Sequence, residues 1–241
     1  MRGLINYFLI IFFIANASSQ DKLFTIIDPD QTGIHFSNDL IDTKENNVFL
    51  YANFYGGAGV GVGDFDNDGL DDLFFAGNLV DDKIYKNLGN LKFQDKTLNS
   101  GIINDSSWST GVTVADVNND GLLDIYVSCE LYDDQPKLRT NKLYINKGNF
   151  EFDELAAEWN VDVDRRTRHA VFFDYNKDGL LDLYLLNHPP NTGNFSPFLG
   201  TDMKLPEYNL QLFENKEGFF EDVTAKAGLD RSGFPNAAVI G

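Results

Sequence analysis

One acidic, glycine-bearing turn occurs three times in this chain, and that repetition limits the fold more than any other feature. The copies are Gly63-Asp64-Phe65-Asp66-Asn67-Asp68-Gly69-Leu70-Asp71-Asp72-Leu73, Ala115-Asp116-Val117-Asn118-Asn119-Asp120-Gly121-Leu122-Leu123-Asp124-Ile125 and Phe173-Asp174-Tyr175-Asn176-Lys177-Asp178-Gly179-Leu180-Leu181-Asp182-Leu183. Their leading aspartates lie 52 and then 58 residues apart. A second signature follows each copy: Ile84-Tyr85-Lys86-Asn87, Leu143-Tyr144-Ile145-Asn146 and Leu212-Phe213-Glu214-Asn215. A third comes after it: Phe93-Gln94-Asp95, Phe152-Asp153-Glu154 and Phe220-Glu221-Asp222. Eight residues beyond each Phe stand Gly101, Asn160 and Gly228.

Each unit holds four short β-like runs. In the first they cover Gly59 to Phe65, Asp72 to Ala76, Lys83 to Asn87 and Lys92 to Thr97, separated by Asp-Gly, Gly77-Asn78 and Leu88-Gly89-Asn90 turns. Helical periodicity is confined to a weak stretch from Glu154 to Trp159. Four strands in about fifty residues predict a blade of a β-propeller, whose sheet is covered on both faces by its neighbours. Apolar residues on both sides of Asp72 to Ala76 and Leu181 to Leu186 agree with that. The expected class is all-β: three four-stranded blades at about 55–102, 108–161 and 165–229, with a fourth beginning near 233. Gly57, Gly59, Gly61 and Gly63 alternate and are expected on one strand face, where small residues let a neighbouring backbone approach. Gly111, Thr113 and Ala115 are the matching face of the second unit.

Residues 1–20 read as a secretory signal. Arg2 gives the positive end, Leu4 to Ile14 is apolar apart from Asn6, and Ala15-Asn16-Ala17 offers a cleavage site. The run is about half of the ~20 residues that span a bilayer, so no membrane span is expected after its removal. The expected destination is the cell exterior, cell surface or periplasm. At the C-terminal end, Pro235 to Gly241 aligns with the first strand of a fourth blade, so the sequence reads as an N-terminal fragment. Leu23 to Ile27, followed by Thr32-Gly33-Ile34, resembles a fourth-strand signature and is expected to be an orphan outer strand.

The formal charge is −18, and losing residues 1–20 removes only Arg2 and leaves −19. Such a surface repels nucleic acid and attracts cations or basic partners. The single cysteine, Cys129, excludes an internal disulfide and a multi-cysteine zinc site.

The turns themselves follow Asp-x-[Asp/Asn]-x-Asp-Gly-Leu-x-Asp. Oxygen ligands at positions 1, 3, 5 and 9, with a backbone carbonyl at position 7, suit Ca²⁺ better than the tighter octahedron of Mg²⁺. About three sites are expected: Asp64, Asp66, Asp68, Leu70 and Asp72; Asp116, Asn118, Asp120, Leu122 and Asp124; Asp174, Asn176, Asp178, Leu180 and Asp182. An EF-hand needs Glu at position 12, where this chain has Phe75, Val127 and Leu185. Plain hairpin turns are the bland alternative, weakened by the third copy of the position-9 aspartate. By ligand charge alone, the four-carboxylate first loop is expected to bind most tightly.

These turns resemble the FG-GAP repeats of integrin α-subunits and the related bacterial VCBS repeats. The blade ending Leu212-Phe213-Glu214-Asn215 … Phe220-Glu221-Asp222-Val223-Thr224 … Ala227-Gly228-Leu229 is similar to the ASPIC/UnbV, cartilage acidic protein-like, family. The resemblance spans roughly residues 22–241. It implies an exported, seven-bladed calcium-binding propeller with a binding role. The chain has fewer than four of those blades and no ASPIC/UnbV segment.

The leading functional expectation is an interaction or adhesion module for an extracellular protein or glycan, and not an enzyme. The long His188 to Tyr208 connection, with Phe195, Phe198 and Tyr208, is the candidate ligand loop. The alternative is a propeller-based extracellular hydrolase or oxidoreductase whose catalytic residues lie outside this chain. Its support here is thin: there is no Gly-x-Ser-x-Gly elbow, and His35, His169 and His188 are scattered. Arg165-Arg166-Arg168-His169 is expected to pair with nearby aspartates, and Cys129 to be a small core residue.

Overall fold

The computed structural model describes residues 23–51, 53–103, 105, 107–131, 136–189, 210–229 and 238. Its strands, in chain order, are β1 (Val60–Gly63), β2 (Asp72–Phe75), β3 (Lys83–Asn87), β4 (Phe93–Asp95), β5 (Trp108–Ala115), β6 (Asp124–Glu130), β7 (Lys142–Asn146), β8 (Phe152–Glu154), β9 (Arg166–Phe173), β10 (Asp182–His188), β11 (Gln211–Asn215) and β12 (Phe220–Asp222). They pair as three antiparallel meanders, β1-β2-β3-β4, β5-β6-β7-β8 and β9-β10-β11-β12. These are consecutive blades of an incomplete propeller, and the described residues close no ring.

Two clusters of apolar side chains hold the blades together. Phe65, Phe74, Ile84, Ile125, Cys129, Tyr144 and Phe152 fill the space between the first and second. Tyr126, Leu143, Val161, Leu183, Phe213 and Phe220 fill that between the second and third. In the first two turns the residue after the leading aspartate is part of this packing: Phe65 and Val117 are buried against the following blade. A metal-type turn and an apolar plug thus occupy adjacent positions in the sequence.

The alternating glycines do what their spacing predicts. A Cβ on Gly59 would lie 2.6 Å from the Val112 nitrogen, and one on Gly61 2.7 Å from the Val112 side chain. One on Gly111 would lie 2.9 Å from the Arg168 carbonyl oxygen. Inner strands of successive blades therefore touch backbone to backbone. Gly57 departs from the expectation: it precedes β1, has φ +77 and meets nothing, so its role is conformational.

The outer edge of each blade is fastened by short-range hydrogen bonds. Asp95 accepts from the Thr97 N–H at 2.8 Å, and the Thr97 hydroxyl accepts from the Ile84 N–H at 3.1 Å. Asp222 and Thr224 do the same for the third blade. In the second, Glu154 Oε1 takes both N–H groups, of Ala156 and Leu143, with its longer side chain. The turn that follows grips the next blade. The Ser100 carbonyl accepts from the Phe152 N–H at 2.8 Å, and the Trp159 carbonyl from the Phe220 N–H at 2.9 Å. Glu154 to Trp159 is accordingly a capped turn rather than a helix.

The N-terminal expectation is half corrected. Leu23 to Ile27 forms no strand, and Ile26 is 98% exposed, because no described strand lies beside it to complete a ladder. Instead Asp28 caps a single helical turn, α1 (Pro29–Thr32), ended by Gly33 in the left-handed region. Gly33 abuts the Phe93 carbonyl as Gly101 abuts that of Phe152, so residues 28–35 occupy the place of a preceding blade's ending. The leader, the His188 to Tyr208 loop beyond Pro189, and the fourth-blade start apart from Ala238 lie outside the described residues.

Candidate metal centre

All three acidic turns sit at one end of the blades, each joining the first strand to the second, and they share one internal design. The position-1 carboxylate folds the turn by accepting N–H groups from positions 5 and 6. Asp64 accepts from Asp68 at 3.0 Å and Gly69 at 2.8 Å. Asp116 accepts from Asp120 and Gly121, and Asp174 from Asp178 and Gly179. The position-5 carboxylate then accepts the N–H of the leucine at position 7: Asp68 from Leu70 at 3.0 Å, Asp120 from Leu122 at 2.8 Å and Asp178 from Leu180 at 2.9 Å. Gly69, Gly121 and Gly179 have φ +88, +86 and +92, which a side chain would oppose. Position 4 is left-handed as well, at Asn67, Asn119 and Lys177. Asparagine suits that conformation and lysine does not.

The position-9 aspartates are the buried members. Asp72 accepts from the Phe65 N–H at 2.9 Å and the Asn87 N–H at 2.7 Å. Asp124 accepts from Val117 and Asn146, and Asp182 from Tyr175 and Asn215. Each one ties its turn to the end of its blade's third strand. Burial raises the pKa of all three, Asp124 to about 7, and neighbouring aspartates push the same way against the N–H bonds. A cation among those carboxylates would relieve both effects.

Among the described residues, Asp64, Asp66 and Asp72 are the set of three acidic side chains whose ligand oxygens lie within 4.8 Å of one another. Asn118 and Asn176 stand where the other turns would need their third converging carboxylate, and each donates instead to the position-5 aspartate, at 2.9 and 2.8 Å. The donor set of the first turn fits a hard cation: all oxygen, with Asp66 Oδ1 buried and lacking any hydrogen-bond partner.

Two groups of functional interest escaped the sequence reading. The first is the asparagine that ends each third strand. Asn146 Nδ2 donates to the Phe65 carbonyl of the preceding turn at 2.9 Å and to Leu123 at 3.0 Å. Asn215 repeats this on Val117 at 2.9 Å and Leu181 at 3.1 Å. At position 4, Asn67 donates forward to Gly121 at 3.0 Å, and Asn119 makes the longer, 3.4 Å, equivalent to Gly179. The acidic turns are thereby chained to one another. The second is Lys86, whose ammonium bonds Asp66 and, at 2.7 Å, Asp68. That bond lowers the Asp68 pKa. The repeat carried the signal for both, since Asn87, Asn146 and Asn215 are invariant among the three copies while the residue before them changes from Lys86 to Ile145 to Glu214.

In the basic cluster, Arg168 pairs with a glutamate where an aspartate was expected. Arg168 bonds Glu130 Oε1 at 2.6 Å and the Tyr51 hydroxyl at 3.3 Å, because a bulge beside it in β9 re-aims the side chain toward β6. His169 lies within β9, half-buried, and its pKa is lowered by burial. Cys129 is a core residue, and burial pushes its thiol up to about 12. Near it, Lys142 bonds Asp105 at 2.9 Å and the Ser107 hydroxyl at 3.2 Å. Burial pulls the Lys142 pKa down, but the acidic groups around it reverse this and leave it raised. A lysine held protonated cannot activate the serine as a base, so this cluster is structural.

No helix among the described residues is long and apolar enough to cross a membrane. Residues 64–127, the first turn through the second blade's β6, match the model of the FG-GAP-like repeat. The chain is 26% identical over 179 residues to cartilage acidic protein 1 of Xenopus tropicalis, which covers 73% of this chain and 27% of that protein. The chain thus spans about a quarter of the length of this relative. Residues 64–127 thus match an FG-GAP-like repeat, and the chain, with its threefold acidic turn and its meander blades, is similar to cartilage acidic protein 1.

Proposed function

We propose that this chain is part of an exported, calcium-braced propeller that serves as an interaction or adhesion module for an extracellular protein or glycan. The observation that carries the reading is the convergence of Asp64, Asp66 and Asp72 around a buried carboxylate oxygen with no partner, in a turn design repeated at Asp116 and Asp174. In this reading each turn holds one Ca²⁺ through positions 1, 3, 5 and 9 and the carbonyl of Leu70, Leu122 or Leu180. The ion supplies charge neutralisation. The chain's own residues do the rest: Asn146 and Asn215 transmit the order of one turn to the next blade, and the apolar plugs Phe65 and Val117 exclude water behind it. Ligand contact falls to the opposite end of the blades, where β6 and β10 finish at Glu130 and His188 and where Arg168 is presented.

FG-GAP-like sequence and the similarity to cartilage acidic protein 1 favour binding over catalysis. The test is binding of the whole chain to immobilised glycans and extracellular-matrix proteins by biolayer interferometry, in millimolar CaCl₂ and in EGTA. A saturable signal that EGTA removes is expected. Turnover of a glycan or peptide substrate, or binding indifferent to EGTA, would refute the proposal.

A further inference from the structure

The three turns are not equal: Asn118 and Asn176 stand where the first turn has Asp66, and the third strands β3, β7 and β11 add a second difference. The residue at the matching place on the third strand, just before its closing asparagine, is Lys86, Ile145 or Glu214. Lys86 is not a loose surface lysine. Its side chain is 21% exposed, its ammonium bonds both Asp66 and Asp68, and it lies 5.6 Å from the centroid of the buried Phe150 ring of the next blade. It therefore occupies one oxygen each of two of the four carboxylates that the first turn would offer to a cation. In the second turn Ile145 brings no charge. In the third, Glu214 adds a carboxylate whose Oε1 accepts from Asn176 at 3.1 Å and from Lys216 at 2.5 Å, so that the lysine there bonds Glu214.

We propose that Lys86 is a built-in competitor for the divalent ion of the first turn, so that this turn fills last. The inference rests on the calcium reading above and inverts the order that counting carboxylates gives. A positive charge a few ångströms from a divalent ion weakens its binding roughly ten-fold or more even under water-like screening. The first turn then stays closed by its own lysine when calcium is scarce, and exchanges the ammonium for the ion when calcium is plentiful.

The experiment is calorimetric titration of the whole chain with CaCl₂, for the wild type, Lys86→Met and Lys86→Arg. The expected wild-type isotherm has two tighter equivalents and one at least about ten-fold weaker. Lys86→Met should bring the weak equivalent up to the others, and Lys86→Arg should leave it weak. Melting curves give a second reading. In EGTA, Lys86→Met should melt below the wild type, because the first turn's carboxylates lose their counter-ion, while in saturating calcium that deficit should shrink or reverse. Lys86→Gln serves in the same way where the methionine variant does not fold. Three equal wild-type sites, or a weak site that Lys86→Met leaves unchanged or weakens further, would overturn the competitor role while leaving calcium binding intact. No calcium heat from the wild type or any variant would overturn the calcium reading itself.

Discussion

Replacing Asn146 with alanine tests the chaining of the acidic turns without touching a single expected ligand. Asn146 is 1% exposed. Its side chain donates to the Phe65 carbonyl at 2.9 Å and to the Leu123 carbonyl at 3.0 Å, and accepts from the Gly148 N–H at 2.8 Å. Truncation removes all three bonds and strands buried partners, each costing about 1–3 kcal/mol. Partial relaxation and shared desolvation bring the expected loss to about 3–5 kcal/mol. Asn87 provides the internal control. It holds the same place in the first blade but donates to the carbonyl of Asp71, in its own turn, and among the described residues makes no bond to a preceding turn. Asn87→Ala should therefore cost about 1–2 kcal/mol. Urea unfolding followed by the fluorescence of Trp108 and Trp159 reads both, with the midpoint shift at constant slope as the measure. Equal losses in the two variants, or a loss below 1 kcal/mol for Asn146→Ala, would refute the idea that this asparagine couples neighbouring blades.

Two glycine substitutions should separate strain from close approach. Gly101 and Gly69 share φ +88, but a Cβ on Gly101 would run into the Phe152 carbonyl whereas one on Gly69 meets nothing. Gly69→Ala should cost about 1 kcal/mol and Gly101→Ala at least about 3 kcal/mol in the same urea assay; comparable values would contradict the blade contact. Asp82 makes a pH prediction. Burial raises its pKa to about 6, against 3.8 for the free side chain. The native state therefore holds a proton that the unfolded chain has released, and stability present below about pH 4 is lost as pH rises through 6, by about 3 kcal/mol. The stability difference between the wild type and Asp82→Asn should change by about 2 kcal/mol between pH 4 and 6.5, and a flat difference would be the contrary result.

The fold was legible where one local signal sufficed. Asp-Gly and other turn signals set β1 to β4 to within a few residues, and the repeat carried the same four-strand pattern to the other two blades, since turn chemistry fixes where a meander reverses. The alternation of Gly59, Gly61 and Gly63 foretold the close inner strands, because only a missing side chain admits a backbone at that distance. What the sequence concealed depends on partners far along the chain. Lys86 reaches Asp66 and Asp68 across twenty and eighteen residues. Asn215 reaches Val117 across ninety-eight. Arg168 was expected to find aspartates and found Glu130, because a bulge rather than composition decides where it points. Leu23 to Ile27 has strand composition and no strand, since a ladder is a property of two segments and not of one. Lys177 stands in a left-handed position that asparagine fills in the first two turns, a substitution for which the structure offers no explanation.

Thermal unfolding of the whole chain, scanned in excess EGTA and again in CaCl₂ at about a hundred times the dissociation constant, bears most directly on the role of the acidic turns. Each filled site should add about 2.7 kcal/mol, so two filled sites should raise the midpoint by roughly 10–20 °C for a chain of this size. Superimposable curves in chelator and in calcium would mean that the aspartates fold their turns without any ion, and the account of a metal-braced propeller would fail.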